Sequence, residues 1–267
     1  MSALARTPRR KRFGQHFLHD PAVIGRILET LAPRAGQHLV EIGPGHGALT
    51  RALLALPGVT LDAIEIDRDL AAELRAAFAG PAQALHVADA LRFDFAALAR
   101  ARGGALRVIG NLPYNISTPL LFHLLSQVQA LEDLHVMLQR EVVLRMAAAP
   151  GSGDYGRLSV MLAPYFEVTR LFDIGPGAFR PPPRVWSAVA RLTPRPVPLF
   201  ALSPHFAAVV AAAFSQRRKT LRNALAALLP RAAIAACDID PAARPETLTA
   251  AQFNTLALAL DRARGEG

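Results

Sequence analysis

Three features predict an α/β fold: a doubly wound, mostly parallel sheet with a small all-helical domain at its carboxyl end. Strand-length apolar runs alternate with helix-patterned stretches through the first half of the chain. A glycine-rich turn, Gly43-Pro44-Gly45-His46-Gly47, follows the first of those strands. Beyond Pro198 the strand signals stop and helical patterns continue to the end.

Taken in order, the chain opens on Arg6, Arg9, Arg10, Lys11 and Arg12, with no acid before Asp20. Residues 1–12 read as a flexible basic arm, because the amphipathic apolar face of a transit peptide is missing. Asp20-Pro21 caps a helix whose Val23, Ile24, Ile27, Leu28 and Leu31 share one face. His38–Ile42 is the first strand, and a helix over Leu49–Leu56 follows the glycine turn. Thr60–Glu65 is the second strand, with a helix running to Ala79. Leu85–Val87 is a third, ending at Asp89-Ala90, and Leu106–Ile109 a fourth. Ser117-Thr118-Pro119 reads as a cap followed by proline, the start of another helix. His135–Leu138 is a fifth strand, with an amphipathic helix behind it. A breaker-rich loop, 150–156, precedes Phe166–Ile174 and Val185–Leu192, an antiparallel pair that completes the sheet. Pro181-Pro182-Pro183 stiffens the segment between them, and residues 194–198 form a linker. The division expected is an arm at 1–12, an α/β domain at 13–198 and a helical domain at 199–267.

Composition narrows the function. The formal charge of +9 favours an anionic partner. The only two lysines, Lys11 and Lys219, sit inside basic clusters, Arg9-Arg10-Lys11-Arg12 and Arg217-Arg218-Lys219 with Arg222. Arg10, Lys11, Arg12, Arg217, Arg218, Lys219 and Arg222 are therefore the candidate nucleic-acid contacts, against the commoner fate of a charge run as a solvated face. A single cysteine, Cys237, excludes an internal disulfide framework. His16 and His19 lack the cysteine or acid partners of a metal site, so no metal is expected. No apolar run is long enough to span a bilayer. The expectation is a soluble cytoplasmic monomer.

A glycine turn brings backbone close to a nucleotide, and Glu65 at the second strand's end is spaced to take both ribose hydroxyls. Both features suit a dinucleotide as well as S-adenosylmethionine. Asp89 is equally a helix cap and an acceptor for an adenine amino group. Gly110-Asn111-Leu112-Pro113-Tyr114-Asn115 decides between the cofactors, because nicotinamide chemistry gives it no role. Adenine N6 is a poor nucleophile while its lone pair is delocalised into the ring. The Asn111 side-chain oxygen and the Leu112 carbonyl can accept its two hydrogens, Pro113 fixes the backbone behind them, and Tyr114 offers a face for an extruded base. S-adenosylmethionine is then the cofactor and the sheet a Rossmann-like methyltransferase sheet.

Phe13–Leu18, Glu41–Gly47, Glu65-Ile66-Asp67, Asp89-Ala90, Asn111–Ser117 and Phe214–Lys219 together resemble the ribosomal RNA adenine dimethyltransferases, in order and in approximate spacing. The last motif resembles their small-subunit branch. The resemblance implies dimethylation of two adjacent adenosines in a hairpin loop near the 3′ end of small-subunit rRNA, within a pre-ribosomal particle. It implies cofactor contacts from His16, Leu18, Gly43, Glu65, Asp89 and Asn111, and a second aromatic on the target base, Phe179. The family has Asn where His16 stands and Asp where Trp186 stands. Two rival functions are a ribosome-assembly RNA-binding factor whose catalysis is secondary and a DNA adenine methyltransferase.

Overall fold

The computed structural model describes residues 16–78, 80, 82–216 and 219–265. Seven strands form the main sheet: β2 (His38–Ile42), β3 (Thr60–Glu65), β4 (Gln83–Val87), β5 (Leu106–Asn111), β6 (Leu131–Gln139), β7 (Phe166–Ile174) and β9 (Ser187–Pro194). Their order is β4-β3-β2-β5-β6-β9-β7, the first five parallel and β9 antiparallel to both its neighbours. The chain winds outward from β2 to β4, then crosses back to β5. The carboxyl ends of β2 and β5 therefore flank the switch point where open α/β sheets bind ligands.

Side-chain alternation along these strands builds two apolar layers. Val40, Ile42, Val108, Val136 and Leu138 face α4 (Phe95–Arg102) and α5 (Ser117–Leu125), through Phe95, Leu120, Leu121 and Leu124. Leu39, Leu61, Ile109, Met137 and Val189 face α1 (Pro21–Leu31) and α2 (Ala48–Leu54), through Ile27, Leu31, Leu49 and Leu53. Asp20 caps α1 by accepting from the N–H groups of Ala22 and Val23, at 2.9 and 3.4 Å.

Two buried ion pairs fasten the layers away from the carboxyl edge. Arg107 forks onto Asp133 at 3.0 and 2.7 Å, joining β5 to β6, and also donates to Leu31 O and Gln37 Oε1, both at 2.7 Å. Asp62 accepts from Arg102 at 2.7 and 2.9 Å and bonds His86 at 2.7 Å. Burial pushes both carboxyls up, yet the histidine and arginine beside each hold it below its ordinary value.

Several boundaries differ from the sequence reading. The fourth strand runs two residues further, so Asn111 is its last residue, paired with Met137 of β6. The fifth begins at Leu131, four residues early, and the last begins at Ser187, leaving Val185 and Trp186 outside it and exposed. The second helix of the sheet, α3 (Arg68–Leu74), tightens into a 3-10 turn and ends before Ala79. Ser117 lies inside α5 rather than capping it, its hydroxyl donating to Tyr114 O at 3.1 Å. Besides α4, which no reading placed between the third and fourth strands, two further elements were not foreseen. One is α7 (Arg157–Leu162), between α6 (Arg140–Ala147) and β7. The other is a second, two-stranded sheet, in which β1 (Phe17–Leu18) pairs antiparallel with β8 (Phe179–Arg180).

From α8 (Phe206–Phe214) onward the described residues hold only helices: α9 (Leu221–Ala224), α10 (Arg231–Ala235) and α11 (Ala250–Gly265). They enclose an apolar cluster built on Val209, Val210, Leu225, Phe253 and Leu256. Tyr155 and Val160 join this cluster, and the Tyr155 hydroxyl donates to Leu248 O at 2.8 Å. The helical unit is thus keyed into the loop and helix that precede β7.

Candidate active site

The site is assembled where β2 and β5 end. Gly43, Gly45 and Gly47 all have positive φ, at 69°, 57° and 75°, a backbone that side chains bearing a Cβ rarely adopt. Gly110 is required for a different reason: a Cβ there would lie 2.4 Å from Ile42 O. The two strand ends can approach this closely only because that position carries no side chain.

A segment from the amino terminus crosses this edge. Leu18 and Phe17 pair with Phe179 and Arg180, and His19 N–H donates to Ala178 O at 3.0 Å. The Phe17 ring sits over the glycine turn, 2.7 Å from where a Gly45 Cβ would be and 4.5 Å, centroid to centroid, from the His46 ring. His16 bonds through Nδ1 to Pro181 O at 2.7 Å, and its backbone carbonyl receives the Asn111 amide at 2.6 Å.

That last bond settles which way Asn111 faces. A carbonyl can only accept, so the Asn111 atom against it is the NH2 group and Oδ1 is left to face elsewhere. Beside it, the Leu112 side chain is buried and its N–H donates to Met137 O at 3.1 Å, which fixes the backbone carrying the motif. The Tyr114 hydroxyl bonds Ser187 Oγ at 2.7 Å, so the ring is held from β9. Burial raises the Tyr114 phenol above its ordinary value, with the Ser187 bond partly opposing.

Two clefts flank Phe17, each of about 30 Å³. His16, Gly43, Asn111, Leu112, Pro113 and Tyr114 line the first. Leu18, Glu41, Gly43, Asn111 and Met137 line the second. Glu65 lies beneath the turn, its carboxylate accepting from Gly45 N–H at 3.2 Å and Asp67 N–H at 2.9 Å. Burial pushes its pKa up despite those bonds. Two accepted bonds leave lone pairs on a carboxylate for a further donor. Asp89 stands just past Ala88, whose N–H meets Glu65 O at 3.0 Å, and its carboxylate accepts from Leu91 N–H at 2.9 Å. It thus serves as a turn cap and lines neither cleft.

Phe179 is also placed away from the clefts. The Phe179 ring is 1% exposed and packed with Leu18, Ile109 and Met137, so it offers no face to a base opposite Tyr114. Its backbone pairing with Leu18 is what seats the crossing segment. Lys219 and Arg222 are exposed, the latter in the first turn of α9. Arg10, Lys11, Arg12, Arg217 and Arg218 lie outside the described residues.

Glu41 was read as the start of the glycine motif and given no role of its own. It is wholly buried in β2, one carboxyl oxygen has no hydrogen-bond partner, and the Thr50 hydroxyl beside it lies outside bonding geometry. Burial pushes its pKa up to about 7, with Glu65 nearby adding to the rise. The available signal was an acid inside an otherwise apolar buried strand, immediately before the glycine turn. Among the described residues no three metal-ligating side chains gather, and no helix is long and apolar enough to cross a membrane.

The sheet order, the glycine turn at its switch point, the carboxylate beneath that turn and the amide on the adjoining strand define a Rossmann-like, S-adenosylmethionine-dependent methyltransferase. The family model described as Ribosomal RNA adenine dimethylase matches residues 6–262, and the chain belongs to that family. A Ribosomal RNA small subunit methyltransferase A from Pseudomonas aeruginosa is 54% identical over 265 residues, covering 96% of each chain. One from Nitrosococcus oceani is 57% identical over 251 residues, covering 92% of this chain and 94% of that one. The crystal structure of the 23S rRNA methyltransferase ErmE superposes with a TM-score of 0.68 at 28% identity, covering 92% of this chain and 99% of the other. A dimethyladenosine transferase from Plasmodium falciparum has the same fold, with a TM-score of 0.79 at 23% identity over 92% of this chain and 98% of that one.

Proposed function

We propose that this protein transfers methyl groups from S-adenosylmethionine to N6 of two adjacent adenosines in small-subunit ribosomal RNA, acting as a cytoplasmic monomer on a maturing subunit. The observation that carries the reading is the enforced orientation of the Asn111 amide. Its oxygen, with the neighbouring Leu112 carbonyl, supplies two acceptors for one exocyclic amine. Accepting both hydrogens draws the amine out of conjugation and gives its lone pair a direction. Tyr114, anchored by Ser187, is the platform on which the extruded base stacks.

The bound cofactor supplies an electrophilic methyl on a sulfonium, which leaves as a neutral thioether. Glu65 takes the ribose hydroxyls, and the Gly43–Gly47 backbone lets the nucleoside approach. The two clefts open to it lie on either side of the Phe17 ring and meet at Gly43 and Asn111. No strong base is needed, because the ammonium formed on N6 sheds its proton readily. The chain's main contribution is placement, which can supply roughly 7–11 kcal/mol. Lys219, Arg222 and the basic residues near them contact RNA phosphates.

Nucleoside mass spectrometry of unmethylated small subunits, incubated with the protein and labelled S-adenosylmethionine, tests this. Dimethyladenosine at two adjacent positions is the expected result. Label on duplex DNA and not on the subunits would overturn it.

A further inference from the structure

Trp186 is the only tryptophan in the chain and, among the described residues, the most exposed of the Phe, Tyr and Trp side chains, at 55%. Its position ties it to the reaction. It immediately precedes Ser187, whose hydroxyl holds the Tyr114 phenol at 2.7 Å. Because β9 runs antiparallel to β6, the start of β9 lies at the edge where β5 and β6 end, with Ser187 opposite Gln139. Two strand spacings separate β5 from β9, about 10 Å. The Trp186 backbone is fixed there, its carbonyl receiving Arg140 N–H at 2.9 Å. The indole is backed by Gly175: a Cβ at that position would lie 3.8 Å from its six-membered ring.

The surroundings are basic. Arg140, Arg180 and Arg184 are all exposed, while the nearby acid Asp173 is shared between Arg140 and Arg170. Beyond its contact with Gly175 the indole leaves much of its apolar area in water. It suits a flat, polyanionic partner that already reaches this edge. An RNA strand with one base turned out onto Tyr114 leaves the neighbouring base unstacked on that side.

We infer that Trp186 is a stacking platform for a nucleotide flanking the target adenosine, with Arg180 and Arg184 meeting the adjoining phosphates. The inference rests on the reading of Tyr114 as the target-base platform. It makes Trp186 a binding and positioning residue rather than a catalytic one. A flat π-face is satisfied by any base, so the contact adds affinity and register without demanding a sequence.

Methyl transfer kinetics on unmethylated small subunits test it. Trp186→Ala should raise KM for the subunit roughly 5- to 150-fold, the range that losing one stacked base produces. The kcat and the S-adenosylmethionine affinity should stay at wild-type values, and Trp186→Phe should recover much of the loss. Trp186→p-benzoylphenylalanine, irradiated on the subunit, should attach to rRNA nucleotides beside the methylated adenosines. An unchanged KM for Trp186→Ala overturns the inference, and so does attachment to a ribosomal protein or to distant rRNA. Failure of the underlying reading looks different: Tyr114→Ala would then leave KM and kcat unaltered.

Discussion

The proposed function gives Asn111 a second task beside its bond to His16, and two substitutions separate them. Its NH2 group bonds the His16 carbonyl at 2.6 Å, which leaves its oxygen free for the acceptor role proposed above. Asn111→Ala removes both groups. Losing one preorganised polar contact to a reacting group costs about 10²–10³-fold in kcat in comparable sites, or about 2.7–4 kcal/mol. Asn111→Asp keeps an acceptor for the amine but sets a carboxylate against the His16 carbonyl. The bond lost is worth about 0.5–1.5 kcal/mol, and a part-buried carbonyl left unpaired costs about 1–3 kcal/mol. The segment crossing the site should therefore loosen by roughly 2–4 kcal/mol. Single-turnover transfer reads the first effect, and hydrogen exchange at the Leu18 and His19 amides reads the second, since His19 N–H is bonded to Ala178 O. Asn111→Ala should slow transfer more than Asn111→Asp, and Asn111→Asp should speed exchange. Transfer within about tenfold of wild type in Asn111→Ala, or wild-type exchange in Asn111→Asp, would refute the reasoning.

Other substitutions probe the frame and the binding surfaces. Folded Glu41 holds a proton up to about pH 7, whereas the unfolded chain releases it near 4.5, so stability should fall by about 3 kcal/mol as pH rises between those values and then level off. Denaturant titrations of Glu41→Gln should lack that slope; a slope equal to wild type would show that another group carries it. Arg107→Met removes the fork onto part-buried Asp133 but leaves His135 beside it, and should cost about 1.5–3 kcal/mol in chemical unfolding; a loss under about 1 kcal/mol would mean that water replaces the guanidinium. Glu65→Ala should weaken S-adenosylmethionine binding by about 1.5–3 kcal/mol by calorimetry, and unchanged affinity would remove Glu65 from the pocket. Charge reversal at Lys219 and Arg222 should weaken RNA binding and lower its salt slope by about 1 per phosphate contact, while cofactor affinity holds. Equal loss of both affinities would point to misfolding.

Much of the architecture was legible because it is written in short-range patterns. The first two parallel strands and Phe166–Ile174 lie where apolar runs and flanking breakers put them. Asp20-Pro21 begins α1 because a carboxylate reaching two N–H groups is a local event. The candidate site was legible at Asn111, Leu112, Pro113, Tyr114 and Gly43, which sit at strand ends and share one cleft. The burial of Phe179 was not legible, because a phenylalanine in a proline-rich segment looks the same whether it faces a base or a core.

The sequence by itself determined the alternating elements, the glycine turn and the strand-end acids and amide, since each depends on neighbours a few residues away. Tertiary structure alone decided the rest. The strand order set β2 beside β5, and Gly110 allowed the close approach that joins turn to amide. Pairing of Leu18 with Phe179 drew the amino-terminal segment over the site and turned the ring of Phe179 inward. The carbonyl that orients Asn111 comes from a residue 95 positions away, and the hydroxyl that steadies Tyr114 from one 73 away. No local pattern encodes contacts at such separations, because they exist only once the sheet has closed around them.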